Sequence, residues 1–424
     1  MSDIPSEMFR EILRRVPVED LFMYRSVCKS WRRIIDDPTF AKLHIRRGMG
    51  EDWFLHRNNT GKVFLLPLKE MVYKKSCYVE WVRATNVKTL VGRGLPRMPD
   101  FPVPCCNGLI LISTFKNNLA WRIWNPFTGE SLELGRCDEF ADLKSGYFDY
   151  PYSGIGYDED NDDYKVVRIV EFRTYIYSVN SREWRRIDDF PDSPSGNWNG
   201  VFAYGALHWF ARPRERERND VLGCIVALDL STEKYRKIPL ASEITEVYGR
   251  CLELDALNGC LFLSCSAWRG RFVAWMSNDY GCENMWIETI SLDDRNHIRP
   301  MAYLKSKERV LLRYGSDLFS WYDIRKRCSE RLVMEVNTKV DDFDYYSEYL
   351  YDTFSSQVLP ASLIRLKRSD GADEGVALEA TSKRKRKRGI LERLPLKLVF
   401  GDPEKWEDDY MEKWMDDDCN SDSD

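Results

Sequence analysis

Twelve cysteines and four histidines are the residues of this 424-residue chain with the widest chemical range, and their spacing decides against most of it. A zinc site needs four converging thiolates or imidazoles, commonly supplied by paired Cys-x-x-Cys units. Here Cys105 and Cys106 are adjacent, Cys260 and Cys265 have four residues between them, and the other cysteines are scattered. His44, His56, His208 and His297 sit in unrelated contexts. The thiols are therefore expected to be reduced, small buried hydrophobes, with no metal site. His208, next to Trp209, is expected to be a core histidine with satisfied ring nitrogens rather than a catalytic base. Asp158, Asn161, Asp162 and Asp163 offer the oxygen donors of a calcium loop but lack its glycine and closing glutamate, so they predict a solvated hairpin turn. No Gly-x-Ser-x-Gly elbow, phosphate-binding loop or dinucleotide fingerprint occurs. The sequence thus predicts a protein that performs no chemistry itself and carries no cofactor.

What such a chain can do is bind, and its first 45 or so residues are patterned for binding. Met8, Phe9, Ile12, Leu13 and Val16 recur at helical spacing and are followed by Pro17. Leu21, Tyr24, Val27, Cys28, Trp31, Ile34 and Ile35 form a second stripe, broken by Asp36-Asp37-Pro38 before Phe40, Leu43 and Ile45. Proline and aspartate stand where helices should stop and start. Three short helices cannot bury this much apolar surface alone, since small chains shield only about 60% of what they expose unfolded. A leftover stripe holding a Trp is a surface for a partner.

The run Ile4-Pro5, Glu11-Ile12-Leu13, Val16-Pro17, Leu21, Arg25 to Trp31, Ile34-Ile35, Asp37-Pro38-x-Phe40 and His44 closely resembles the F-box. The usual motif begins Leu-Pro and ends its first helix Arg-Leu-Pro; here Ile4 and Val16 replace the leucines, apolar for apolar. The resemblance implies docking on a Skp-family adaptor and, through it, a cullin. Residue by residue it places the adaptor contacts on Ile4, Pro5, Ile12, Leu13, Val16, Pro17, Leu21, Val27, Cys28, Trp31 and Ile34.

Beyond the F-box the texture changes to short alternating strands. Asn107-Gly108, Asn199-Gly200 and Asn258-Gly259 each precede an apolar run and predict tight hairpin turns. A second element recurs, an apolar strand ending in Asn, Asp or Ser, at Asn125, Ser178, Asp229 and Asp323. Successive copies lie about 50 residues apart, with one divergent copy expected within 272–292. That period, with four short strands per unit, predicts a β-propeller of about six blades, the first (53–100) the least regular. Trp124, Trp209, Trp275 and Trp286 are expected to wedge between blades.

Cys106-Asn107-Gly108-Leu109 with Trp124 to Thr128, Gly154 to Asp158 with Asp163 to Val167, Gly205 to Trp209, and Trp275-Met276 with Tyr280-Gly281 and Trp286 resemble the F-box-associated domain of plant F-box proteins, whose fold is related to kelch propellers. The whole is thus an α+β multidomain chain. A small all-α F-box (1–48) precedes an all-β, propeller-like substrate-binding domain (53–366) and a charged, disordered tail (367–424).

Hydrophobic content of 43% and aromatic content of 13% supply a large core. No apolar run approaches the roughly 18 residues of a membrane span, and helix patterning from Ile4 leaves no room for a signal peptide. Net charge is −5, but residues 402–424 hold eleven acidic residues against two lysines, so the remainder is close to balanced. Neither nucleic acid nor membrane is expected as a partner. Lys383, Arg384, Lys385, Arg386, Lys387 and Arg388 form an unbroken basic run suited to a nuclear import receptor, which predicts residence in nucleus and cytoplasm. The resemblance therefore implies the substrate-recognition subunit of an SCF-type (Skp–cullin–F-box) ubiquitin ligase, with an unknown protein substrate. The alternative is a nuclear F-box scaffold or cofactor acting outside a ligase.

Overall fold

The computed structural model describes residues 6–46, 52–57, 63–68, 85–86, 104–113, 121–135, 152–196, 198–212, 224–238, 240, 244, 252–268, 270–278, 280–281, 285–293, 297–304, 308–314, 318–333 and 356–366. Met1–Leu21 and Arg33–Arg368 make up one compact unit, and Phe22–Arg32 falls in a second with Ser369–Asp424.

Each N-terminal helix begins and ends for a local reason. Helix α1 (Ser6–Leu13) closes on a tightened turn, Val16 N–H donating to Leu13 C=O at 3.2 Å. Pro17, which has no N–H to lose, then accepts the first bonds of α2 (Val18–Tyr24) from Asp20 and Leu21. Asp37 caps α4 (Pro38–Arg46) by accepting the Thr39 N–H at 2.9 Å. Burial would raise the Asp37 pKa, but that bond and the nearby Arg10 guanidinium, 3.0 Å away, hold it below its ordinary value.

The expected second helix is split in two, giving four helices where three were expected. Ser26 Oγ donates to Met23 C=O at 2.7 Å, and the backbone tightens to i→i+3 bonds at Ser26 and Val27. A serine that satisfies a nearby carbonyl competes with the helix it sits in. Cys28 restarts the chain as α3 (Lys29–Ile35), its carbonyl accepting from Arg32 at 3.1 Å.

Among the described residues the remainder forms six antiparallel sheets. The first holds β1 (Asp52–Arg57), β2 (Val63–Pro67) and β3 (Thr85–Asn86). The second holds β4 (Cys105–Cys106), β5 (Leu109–Ser113), β6 (Trp121–Trp124) and β7 (Ser131–Leu134), and the third β8 (Tyr152–Asp158), β9 (Asp163–Val170), β10 (Arg173–Ser178) and β11 (Glu183–Arg186). The fourth has β12 (Ser193–Ser195), β13 (Val201–Ala203), β14 (Ala206–Arg212), β15 (Cys224–Asp229) and β16 (Tyr235–Ile238); β12 and β13 share one side of β14. The fifth has β17 (Leu252–Leu257), β18 (Cys260–Trp268), β19 (Arg271–Ser277) and β20 (Trp286–Asp293). The sixth has β21 (Ile298–Leu304), β22 (Arg309–Tyr314), β23 (Leu318–Asp323) and β24 (Cys328–Val333). Finally β25 (Ser356–Pro360) returns to pair with β1, Trp53 opposite Leu359 and Leu55 opposite Gln357.

Consecutive sheets share apolar seams. Leu111 and Ile123 meet Ile155 and Val166; Val167 and Ile176 meet Leu207, Trp209 and Val226; Ile225 and Ala227 meet Leu263, Val273 and Trp275. Phe262 and Phe272 meet Val310 and Tyr322, and Phe54 of the first sheet meets Leu311, Phe319 and Trp321 of the sixth. Trp53 stands edge-on to Phe127, linking the first sheet to the second at 5.6 Å. Tryptophan thus fills seams at Trp209 and Trp275, as expected, because one indole buries so much area.

The repeated polar residue is a turn-maker. Asn125 directly follows β6, and Asp229 and Asp323 end β15 and β23; each accepts N–H bonds from two or three residues ahead, Ser178 at the end of β10 doing the same through its hydroxyl. Ser277, at the end of β19, occupies the matching place within the interval expected to hold the divergent copy. Asn107-Gly108 and Asn258-Gly259 are the hairpin turns predicted, all four residues at positive φ. Asn199-Gly200 is not. The tight turn of that sheet is Tyr204-Gly205, while Asn199 bridges to Ser153 of the third sheet. Gly200 is required for another reason: a Cβ there would sit 2.4 Å from the Trp209 ring.

In a four-stranded meander the first and third turns lie at one end. From the second sheet to the sixth, those connections span at most eight residues. At the other strand ends the connections are uneven: 171–172, 269–270 and 315–317 are short, whereas 136–151, 213–223, 239–251 and 334–355 each exceed ten residues.

Candidate adaptor and substrate surfaces

Within Phe22–Arg32, Met23 is 40% exposed, Cys28 is exposed, and Val27 and Trp31 are half-buried. Tyr24 meets the Trp31 ring edge-on at 5.5 Å, which holds the indole on this segment. In the other unit Ile12, Val16, Pro17 and Ile34 are half-buried and Met8 is 48% exposed. Leu13 and Leu21 are buried, at 1% and 0% exposure. Ile4 and Pro5 lie outside the described residues, as do Lys383–Arg388 and all residues after Leu366. His44 is fully buried and donates through Nε2 to Val16 C=O at 2.9 Å, tying α4 to the end of α1. Burial holds its pKa below the ordinary histidine value.

Helix α4 is fixed to the sheets at their short-turn ends. Ile45 packs against the cluster containing Leu109, Tyr157 and Tyr164, and Lys42 pairs with Asp162 in the β8–β9 turn. Arg365 bridges Asp36 (3.0 Å) and Glu130 (2.8 Å), while the Leu366 N–H donates to Glu130 at 2.9 Å. The segment carrying Arg365 is itself held by the buried Asn125 amide, which donates to Ser362 C=O (3.1 Å) and Ile364 C=O (2.9 Å). Asp36, Lys42 and Arg365 were not picked out from sequence; isolated surface charges carry no periodic signal.

The same end carries two polar clusters that join neighbouring sheets. Lys165 Nζ reaches Asp158 (2.8 Å), Glu233 (2.8 Å) and Leu230 C=O (2.6 Å), and Arg185 adds a second cation on Glu233. Asp158 also accepts from Ser231 at 2.9 Å and from Asn161. The turn residues 159–162 are exposed, as expected, but the Asp158 carboxylate beside them is wholly buried: Lys165, two positions into β9, draws it inward. Burial would raise the Asp158 pKa, but bonds from Lys165, Asn161 and Ser231 outweigh it and hold the carboxyl at about 2. Among the described residues no group of three or more His, Cys, Asp or Glu is placed to hold a metal ion, and no helix is long and apolar enough to cross a membrane.

His208 anchors the second cluster. It is fully buried; its Nδ1 faces Val201 C=O at 3.1 Å and so donates, leaving Nε2 to accept from the Tyr280 hydroxyl at 2.5 Å. Tyr280 stacks on Tyr204 with ring centroids 4.2 Å apart, and Arg236 lies over its ring at 4.3 Å. This is the satisfied core histidine expected from sequence. Burial, reinforced by Arg236, lowers its pKa to about 4. A lowered histidine pKa means stability is full above the unfolded value near 6.5 and is lost as pH falls towards 4. Unfolding free energy should therefore drop by about 3 kcal/mol across that window through this group. Urea titrations from pH 7 to pH 4 should show a visibly shallower pH slope for His208→Gln; equal slopes would exclude His208 as the cause.

Among the described residues, the chain is a helical N-terminal module followed by six antiparallel sheets. Comparison with known proteins gives it a family. Residues 1–43 match the F-box domain, and residues 100–358 match the F-box associated beta propeller domain; the chain is an F-box protein and belongs to that second family. Its relatives include F-box protein CPR1 of Arabidopsis thaliana, 25% identical over 77% of this chain and 83% of the relative. F-box/kelch-repeat protein At3g23880 of the same plant is 26% identical over 74% of this chain and 86% of the relative. Putative F-box protein At3g17490, also from Arabidopsis thaliana, is 26% identical over 91% of this chain and 98% of the relative.

Proposed function

We propose that this protein is the substrate-recognition subunit of an SCF-type ubiquitin ligase, binding a Skp-family adaptor through Val27, Cys28, Trp31 and Ile34 and their neighbours, and through it a cullin. The observation that carries the reading is where α4 is attached. Ile45, Lys42 and the Asp36–Arg365–Glu130 bridge occupy the short-turn ends of the second and third sheets. From the second sheet to the sixth the longest connections, 136–151, 213–223, 239–251 and 334–355, leave from the opposite strand ends, and binding residues concentrate on such loops. The protein substrate is accordingly assigned to that opposite face, where the sequence places Arg212–Arg218 and Phe140–Pro151. Six sheets with consecutive seams, the sixth meeting the first at Phe54, support a closed six-bladed, kelch-like ring. The chain acts as a receptor and leaves catalysis to its partners.

Trp31→Ala tests the adaptor surface. Truncating a central aromatic anchor costs about 2 kcal/mol or more, roughly thirtyfold in affinity. Co-purification of adaptor and cullin should be lost while urea unfolding of the sheets is unchanged; full retention of the adaptor would sink the F-box reading. The basic run Lys383–Arg388 favours a second reading, a nuclear scaffold outside a ligase. That reading requires adaptor without cullin, and nuclear residence that is lost when the six residues become alanine.

A further inference from the structure

We propose that the acidic segment 402–418 of this same chain folds onto the Val27–Trp31 face and competes there with the adaptor, so that the free protein holds itself in a low-affinity state. The inference rests on the adaptor reading above. Phe22–Arg32 presents exposed Met23 and Cys28 with half-buried Val27 and Trp31. Arg25, Lys29 and Arg32 alternate with these apolar positions along the chain, and the segment contains no acidic residue. An apolar strip interspersed with three cations and no acidic residue over 22–32 fits an acidic amphipathic helix.

The chain carries that complement in its own tail. Asp402-Pro403 is a helix start signal, an N-cap side chain followed by proline at the first position. Trp406, Tyr410 and Trp414 then recur at every fourth residue, with Met411 and Met415 on adjoining positions of the same face. Nine acidic residues lie among 402–418, against Lys405 and Lys413. Residues 367–401 tether the segment to Leu366, and at up to about 3.3 Å per residue they impose no limit on reach. A tether of this kind holds its ligand at an effective concentration on the order of a millimolar, so weak contacts suffice. The competing site for the acidic segment, Lys383–Arg388, complements its charge but offers no apolar surface for three aromatic rings.

The test compares the full chain with a full-length Trp406→Ala, Tyr410→Ala, Trp414→Ala variant, using a recombinant Skp-family adaptor as the probe. The variant should bind about tenfold more tightly at low salt, and the gap should close towards about 0.5 M salt as charges are screened. Equal affinities would overturn the proposal. A labelled peptide of residues 402–424, titrated with the same variant, separates this result from failure of the adaptor reading. The peptide should bind, and binding should be lost when Lys29→Glu and Arg32→Glu are added. If both proteins ignore the adaptor, the adaptor reading fails and the peptide alone decides. A peptide that does not bind, or whose binding is lost instead on neutralising Lys383–Arg388, overturns the tail contact.

Discussion

Lys165→Met is expected to destabilise the sheet domain by about 3–5 kcal/mol, the usual cost of breaking a buried ionic cluster by removing one partner. The lysine is 7% exposed at its side chain and faces Asp158 at 0% and Glu233 at 17%. Methionine keeps the apolar stem but leaves a buried carboxylate facing neutral donors from Asp160 N–H, Asn161 and Ser231. Urea unfolding at pH 7 should show the loss, and adding Asp158→Asn with Glu233→Gln should recover part of it, because neutral amides need no cation. Acid supplies the sign. Asp158 has a folded pKa of about 2, so its stabilisation is present above the unfolded value near 4 and disappears as pH falls towards 2. That acid-dependent loss should be absent in Lys165→Met. A change below about 1 kcal/mol would place the cluster with ordinary screened surface pairs.

Gly108→Ala is the second substitution with a large expected effect. Gly108 has φ +77°, and a Cβ there would sit 2.4 Å from Pro360 C=O and 2.5 Å from Ser362 Cβ. The left-handed backbone costs a non-glycine residue about 1–2 kcal/mol. The clash adds to this, because the Pro360 carbonyl oxygen and the Ser362 Cβ belong to or sit on the backbone and cannot swing away. We expect a loss above about 3 kcal/mol, with hydrogen exchange rising first in β25 and in the paired strand β1. Gly205→Ala is the control: φ is +72° but nothing lies within 4 Å, so only the conformational cost should appear. Equal losses at both positions would show that Gly108 matters for its φ alone.

The elements most legible in the sequence are those whose cause is local. Asp37-Pro38 starts α4 because a capping carboxylate and a proline act on the next turn. Asn125, Ser178, Asp229 and Asp323 stand out because each closes its own turn, giving the sheet repeat a marker about every 50 residues. The break at Ser26 was hidden, since its hydroxyl bond to Met23 competes with a helical stripe that the apolar residues continue on both sides. Asp158 was misjudged because its environment comes from Lys165 across a turn and from Ser231 and Glu233 far along the chain. Asn199-Gly200 has hairpin composition, yet Trp209 from β14 determines its role by packing on Gly200. The attachment of α4 has no sequence signature, because Arg365 meets Asp36 only once the two ends of the chain are folded together.

The pairing of β25 with β1 has a consequence in time. During synthesis β1 emerges about 300 residues before the strand that covers its free edge. At roughly 5–20 residues per second the ribosome takes on the order of 15–60 s to supply it. Through that interval the nascent chain displays Trp53, Phe54 and Leu55 on an uncovered strand, the kind of edge that recruits other chains. The helices have by then left the ribosome, so the N-terminal helical module is complete while the sheet domain still lacks its last strand. Slowing elongation across 334–355 would lengthen the exposure, and chaperone capture of stalled chains should end abruptly once residue 360 clears the exit tunnel.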